Sequence, residues 1–281
     1  MSIMNKLVHI HFKHKKKYTR DEFEDIIKNI KEPKIPPKPK GIDYEFKNDV
    51  FYLNNKTNSN TTIFYIHGGA YVNSFDKYHF KFLKKIIKKT NYFILAPNYK
   101  LVPFATAETV INDLAEIYKK YIDNNPDKRI ILLGDSAGGG LALSLSLFLN
   151  KNGIKAPDKT ILLSPCVDIS LSNPKIFDYL KNDPWLYLDR LNVCTKYFKG
   201  DLDYKDYLVS PTYGDIDVLK NMLIFVGTDE ILYPDITLFY DKLKDKESNK
   251  LIIGNKMLHV YPILPIKEAK KALKIILEYI K

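Results

Sequence analysis

Leu132-Leu133-Gly134-Asp135-Ser136-Ala137-Gly138-Gly139 is the stretch on which the fold of this chain turns. The apolar run Arg129 to Leu133 reads as a strand, and the apolar, small-residue run Gly139 to Asn150 reads as a helix. Between them stands Gly-x-Ser-x-Gly, in the strand–turn–helix context that raises a serine on a sharp turn as a nucleophile. So tight a turn needs small neighbours, and Gly134, Ala137 and Gly138 supply them. The hydroxyl then lies at a helix N-terminus, where the helix dipole favours developing negative charge. A chance glycine-rich turn would look the same in isolation, so the surrounding pattern has to decide.

Outward from the motif, strands and helices alternate. Thr62 to Ile66, Tyr92 to Ala96, Thr160 to Leu163, Met222 to Val226 and Lys250 to Ile253 are short apolar runs of strand type. Helical patterns fall around Phe80 to Lys89, Thr109 to Asp123 and Pro265 to Ile280. Continuous apolar strands separated by helices imply an α/β fold with a mostly parallel central sheet and helices on both faces. Gly-Asp-Ser also marks trypsin-like proteases, but those are paired antiparallel barrels in which histidine and aspartate precede the serine. The βα rhythm excludes them.

Two segments stand outside the rhythm. Thr19-Arg20-Asp21-Glu22 has capping-box form before Phe23, Ile26, Ile27 and Ile30, and a proline-rich connector, Glu32 to Pro39, follows. The stretch between Leu163 and Met222 is too long for a plain crossover. A helical insertion over the sheet is expected there. With the N-terminal helix it would form a small cap, from about 1–40 and about 170–210, on a single domain spanning 1–281.

Composition narrows the function classes. The formal charge is +11, from 44 Lys and Arg against 33 Asp and Glu, which raises nucleic acid or an anionic surface as partners. Lysine is scattered through nearly every segment, however, and no nucleic-acid motif or basic stripe interleaved with aromatics occurs. A general lysine bias is the better reading. Two cysteines, Cys166 and Cys194, fit a reducing compartment. The N-terminus runs from apolar to basic, the reverse of a secretory signal, and the apolar run Leu141 to Leu149 is too short to span a bilayer. A cytoplasmic protein with no integral membrane segment is expected. Apolar residues on the last strand and helix leave room for a homodimer.

The remaining chemistry is found by position. Ile66-His67-Gly68-Gly69-Ala70 follows a strand, and its glycines let the backbone present N–H groups toward the serine. Gly68 and Gly69, with the amide of Ala137, are the expected oxyanion hole. In hydrolases built on this elbow the acid and then the histidine follow the serine. Of six histidines only His259 lies beyond Ser136, in the loop Met257-Leu258-His259-Val260-Tyr261-Pro262. His9, His11 and His14 find no convincing further ligand for a metal and read as a solvated segment. The acid comes from Gly227-Thr228-Asp229-Glu230, and spacing alone leaves Asp229 and Glu230 equally placed.

Together these residues resemble the hormone-sensitive-lipase-like branch of the α/β hydrolases. The resemblance rests on His67-Gly68-Gly69-Ala70, Gly134-Asp135-Ser136-Ala137-Gly138-Gly139, Tyr99-Lys100-Leu101-Val102-Pro103, Leu163-Ser164-Pro165-Cys166-Val167-Asp168 and His259-Val260-Tyr261-Pro262. It implies the α/β-hydrolase fold with a small helical cap and hydrolysis of a carboxylic ester; the small cap in turn suggests short-chain acyl or acetyl esters, and the triad chemistry requires no cofactor or metal. It also implies that the acid stands directly before x-Leu, which favours Glu230 over Asp229. Asp168 is a weaker candidate acid, expected to support the pocket. Ala70 replaces the branch's usual third glycine, and Phe104 replaces its usual glutamate. The cap aromatics Trp185, Tyr187 and Tyr213 are expected to shape the substrate pocket. An amide or formamide hydrolase on the same triad, or a non-catalytic ligand-binding member of the fold, are the alternatives.

Overall fold

The alternating apolar runs assemble into one eight-stranded sheet, in a computed structural model that describes residues 2–281. In chain order the elements open with helices α1 (Ile3–Lys13) and α2 (Arg20–Lys28) and strands β1 (Tyr44–Lys47) and β2 (Val50–Leu53). They continue as β3 (Thr61–Ile66), α3 (Lys77–Thr90), β4 (Phe93–Pro97), α4 (Ala107–Asp123), β5 (Arg129–Asp135) and α5 (Ala137–Lys151). After β6 (Lys159–Leu163) come α6 (Ile176–Tyr179) and α7 (Leu188–Lys199), then β7 (Met222–Gly227), α8 (Tyr233–Lys242), β8 (Lys250–Gly254) and α9 (Lys267–Tyr279).

The sheet order is β1-β2-β4-β3-β5-β6-β7-β8. From β4 to β8 every pairing is parallel, whereas β1 and β2 add an antiparallel end. Successive side chains of a strand point to opposite faces, so each central strand fills two cores. Phe64, Ile66, Leu132, Leu162, Ile224 and Val226 share one core with α4, α5 and α8 on one face. Ile63, Tyr65, Ile131, Leu133, Ile161, Leu163 and Phe225 meet α3 and α9 on the other. This is the chain-level reason why the strands read as unbroken apolar runs.

All six expected strands are present. The β1–β2 hairpin is an addition: its outer strand is a mostly exposed edge and carries no buried apolar run to betray it. The N-terminal segment is also more ordered than its basic composition suggests. Ser2 caps α1 by accepting from Asn5 N–H, and is itself held by Glu268 at 2.7 Å. A buried Asn5 donates to the Lys256 carbonyl at 2.9 Å. Thus α1 docks beside α9, through contacts more than 250 residues apart in sequence. His9, within it, lies 4.0 Å from Asp229.

The insertion over the sheet contains α6 and α7, and α2 packs against α7. Lys196 of α7 pairs with Glu24 of α2 at 2.9 Å, and Phe198 stacks on Tyr71 beside the active-site loop. No helix of the described residues is long and apolar enough to cross a membrane. At the other end of the sheet, β8 leaves a free edge, with Ile253 49% exposed.

Candidate active site

Ser136 occupies the hinge between β5 and α5 with φ 53 and ψ −122. That is left-handed backbone which a side-chain-bearing residue adopts only where its surroundings impose it. The surroundings here are close-packed backbone. A Cβ at Gly138 would lie against the carbonyls of Ile66 and His67, and one at Gly134 against the carbonyl of Gly138. Glycine at both positions lets β5 turn directly into α5. The Ser136 N–H is fixed by the Leu163 carbonyl of the neighbouring strand at 2.8 Å.

Opposite the hydroxyl, His259 Nε2 lies 2.7 Å from Ser136 Oγ. Its Nδ1 lies 2.6 Å from Glu230 Oε2. Glu230 and His259 are buried and Ser136 is partly accessible from one side. The carboxylate is held from behind: its Oε1 accepts from Gly227 N–H at 2.7 Å and from the Ser164 hydroxyl at 2.7 Å. Ser164 also accepts from Val260 N–H at 3.0 Å, so one hydroxyl ties the acid loop to the histidine loop. Asp229 does not reach the histidine. Its carboxylate faces His9 and the Thr228 hydroxyl on the other side of the turn. Asp168 accepts from Ser170 N–H and the Tyr213 hydroxyl at the base of the insertion.

Of the expected oxyanion donors, one is engaged elsewhere. Gly68 N–H donates to Asp135 Oδ1 at 3.1 Å and is therefore committed. Gly69, Ala70 and Ala137 all line the cavity in front of Ser136, and among the described residues none of their N–H groups has an acceptor. The N–H groups left unengaged beside Ser136 are those of Gly69, Ala70 and Ala137. Gly69 has φ 128, and a Cβ there would lie against the Asn73 carbonyl. Gly69→Ala is expected to lower kcat by about 100-fold through a displaced donor. Steady-state kinetics beside unchanged far-UV circular dichroism would check it; wild-type kcat would remove the loop from the site.

Behind this loop lies a buried polar cluster for which the sequence carries little signal. Asp135, the middle residue before the nucleophile, accepts from the Tyr65 hydroxyl at 2.5 Å and lies 3.3 Å from His79 Nε2. Burial alone would discharge His79, but Asp135 and Asp76 outweigh it and raise its pKa to about 10. Burial, with the His79 charge next, lowers the adjacent His67 to about 3. One imidazolium and one neutral imidazole thus sit side by side. Tyr99 stacks on His67 at 4.3 Å and donates its hydroxyl to the His67 carbonyl at 2.9 Å. The Tyr99 to Pro103 segment is thereby a brace for the oxyanion loop. Phe104, after it, is 40% exposed.

A cavity of about 420 Å³ opens in front of Ser136 and His259, walled by Tyr71, Leu171, Trp185 and Leu186 among others. Trp185 meets the His259 ring edge-on at 5.6 Å and stacks on Phe12 of α1 at 4.0 Å. Of the three expected pocket aromatics, only Trp185 lines this cavity. Tyr187 faces a separate cleft beneath the N-terminal segment, where its hydroxyl accepts from Tyr18 N–H. Tyr213 is turned toward Asp168. Period and composition place an aromatic in an insertion but do not tell which way it points. Among the described residues, no group of three or more His, Cys, Asp or Glu side chains is arranged to hold a metal ion.

Asp183 fixes Trp185. Its Oδ1 accepts from Trp185 and Leu186 N–H, and its Oδ2 accepts from Ile231 N–H, the residue after Glu230, each at 2.9 Å. Burial raises its pKa from 3.8 to about 6 despite these bonds. The folded state therefore binds the proton more tightly than the unfolded chain, and this group's contribution to stability falls as pH rises from about 4 to about 6. Urea midpoints measured across that range should decline less steeply in Asp183→Asn than in wild type. Identical slopes would contradict the assignment.

A nucleophilic elbow at the end of a mostly parallel sheet, with a histidine and a buried acid delivered by the two following loops, defines an α/β-hydrolase-type site. The chain belongs to the α/β-hydrolase-fold family, whose model matches residues 63–263, and to its hormone-sensitive-lipase-like branch. It is 31% identical over 187 residues to an esterase of Acinetobacter venetianus, a match covering 66% of this chain and 62% of that one. A solved structure from Staphylococcus aureus superposes with a TM-score of 0.87 at 27% identity, over 100% of this chain and 99% of that one. A hormone-sensitive lipase from a metagenome library gives a TM-score of 0.83 at 25% identity, covering 98% and 95%.

Proposed function

We propose that the protein is a serine hydrolase of carboxylic esters with short acyl groups. The observation that carries this reading is the continuous relay from Glu230 Oε2 through His259 to Ser136 Oγ, with contacts of 2.6 and 2.7 Å, facing unengaged backbone N–H groups. Nδ1–H donated to the Glu230 carboxylate leaves Nε2 as the acceptor, so His259 takes the Ser136 proton as Oγ attacks the ester carbonyl. The N–H groups of Gly69, Ala70 and Ala137 receive the developing oxyanion. The imidazolium then protonates the leaving alcohol, and water repeats the sequence on the acyl-enzyme.

The acyl-length part of the reading rests on the cavity. At about 420 Å³ it lies toward the small end of the range of about 300–1,000 Å³ typical of ligand pockets. Trp185 closes it beside the histidine. The likeness to an esterase and to a hormone-sensitive lipase supports the ester class.

The test is a series of p-nitrophenyl esters from acetate to palmitate, with p-nitroacetanilide as the amide counterpart. The expected kcat/KM is greatest at acetate to butyrate and negligible for the anilide. A maximum at long chains would overturn the acyl-length reading, and a faster anilide would make the protein an amidase.

A further inference from the structure

The cavity in front of Ser136 is not electrically balanced. Lys15, Lys34 and Arg190 line it together with the nucleophile and the histidine. Its two carboxylates, Asp76 and Asp135, are both engaged by His79. No ion pair involves Lys15, Lys34 or Arg190 among the described residues. One imidazolium balances only one of those two carboxylates, so the three cations share the cavity with a single residual carboxylate charge, and none of them is ion-paired to it.

Arg190 is the informative member. A lysine-rich chain scatters lysines everywhere, but only three of its 44 Lys and Arg residues are arginine (Arg20, Arg129 and Arg190). Arg129 is used structurally, donating to the C-terminal carbonyls of Ile280 and Lys281. Arg190 stands on α7 with its guanidinium carbon 5.5 Å from the Phe23 ring centroid, which anchors one side of the group. Its Nε is buried without a hydrogen-bond partner. A buried, unpartnered N–H is costly unless something bonds it in the working state. Lys34 shares the position: its ammonium donates to Asn73 Oδ1 at 2.7 Å. Although the Lys34 side chain as a whole is exposed, desolvation of its ammonium, followed by the Arg190 charge, pulls its pKa below the ordinary value. Two like charges held close enough to disturb one another are placed to share one anion.

We infer that the substrate is an ester carrying a negatively charged oxyanion group, bound by Arg190 with Lys34 and Lys15 while Ser136 attacks the ester carbonyl. This rests on the ester-hydrolase reading and narrows it. The planar guanidinium presents parallel N–H donors to a carboxylate or phosphate, and Phe23 and Asn73 limit where the two cationic groups can go. Binding energy from that remote charge would orient the scissile carbonyl over Ser136.

The experiment compares 4-acetoxybenzoate with 4-acetoxybenzamide, which share an acetyl ester and differ in charge. Wild type should favour the anion in kcat/KM by about tenfold or more, the equivalent of one charge-assisted contact. Arg190→Met and, separately, the exposed Lys34→Gln should each erode that preference, with the amide ester changing by less than about twofold. Lys85→Gln, an exposed lysine outside the cavity, should leave the preference intact, which separates a local subsite from the general field of a cationic protein. An anion-to-neutral ratio unchanged in both Arg190→Met and Lys34→Gln would overturn the inference. Failure of the ester reading would look different, as no Ser136-dependent turnover of either compound. The subsite is then read by binding. Trp185, the single tryptophan, lines the cavity, so its fluorescence in Ser136→Ala reports titration with benzoate, phenylphosphonate or benzamide. Tighter binding of an anion than of benzamide, lost in Arg190→Met, supports the inference, and the preferred anion tells carboxylate from phosphate. Equal affinities for all three would sink it.

Discussion

Ser136→Ala is expected to lower p-nitrophenyl acetate hydrolysis by about 10⁴-fold or more, with far-UV circular dichroism and thermal midpoint close to wild type. The loss is large because removing Oγ leaves nothing to form the acyl-enzyme, whereas the oxyanion donors and cavity remain. The fold should not suffer from the substitution. The strained φ of 53 is imposed by the β5–α5 junction, and an alanine side chain fills less of the cavity than serine. The one side-chain hydrogen bond lost is that to His259 Nε2. Residual activity above about a tenth of wild type would mean that hydrolysis runs through another nucleophile, and the relay would lose its assigned role.

Glu230→Gln carries the second large effect and discriminates between the two neighbouring acids. Oε1 is bonded by two donors, the Gly227 N–H and the Ser164 hydroxyl, so the amide oxygen of glutamine is pinned there. Its NH₂ is then forced to face His259 Nδ1. An amide donor at that point requires Nδ1 to accept, which places the ring proton on Nε2, where it cannot take the Ser136 proton. The expected fall in kcat is about 10³- to 10⁴-fold, with KM nearly unchanged. Asp229→Asn should stay within about threefold of wild type, because Asp229 lies 4.0 Å from His9 on the far side of the turn. The reverse ranking would transfer the acid role to Asp229. Ser164→Ala is informative beside them: freeing Oε1 from one of its two donors should cost less than Glu230→Gln itself.

Much of the architecture is legible in the residues alone. Strand and helix periods, the elbow's glycines and the order serine, acid, histidine are properties of residues near one another in the chain. They placed the six parallel strands, Ser136 and His259. The β1–β2 hairpin escaped because each strand is only four residues long, and β1, although apolar and polar residues alternate along it, is a mostly exposed edge. Helix α1 escaped because its basic flank resembles a solvated tail, while its order comes from contacts to Glu268 and Lys256 at the opposite end of the chain.

What the amino-acid sequence by itself determined was the class of sheet, the turn that raises Ser136 and the loop that brings His259. Each depends on local backbone chemistry: glycine at a close approach, apolar period, and the sequence order of loops at one end of a parallel sheet. Spacing leaves the two adjacent carboxylates level and the resemblance favours Glu230; in the folded chain it is Glu230 that faces the imidazole. The tertiary structure alone decided which N–H groups remain free for an oxyanion, and which cap residues enter the cavity. The physical reason is that these choices are made by partners distant in sequence. Ser164 reaches Glu230 across 66 residues, and Asp135 claims the Gly68 N–H across 67. A polar group's role is set by which atom arrives within about 3 Å of it. That distance is a property of the packed chain and is written in no single segment.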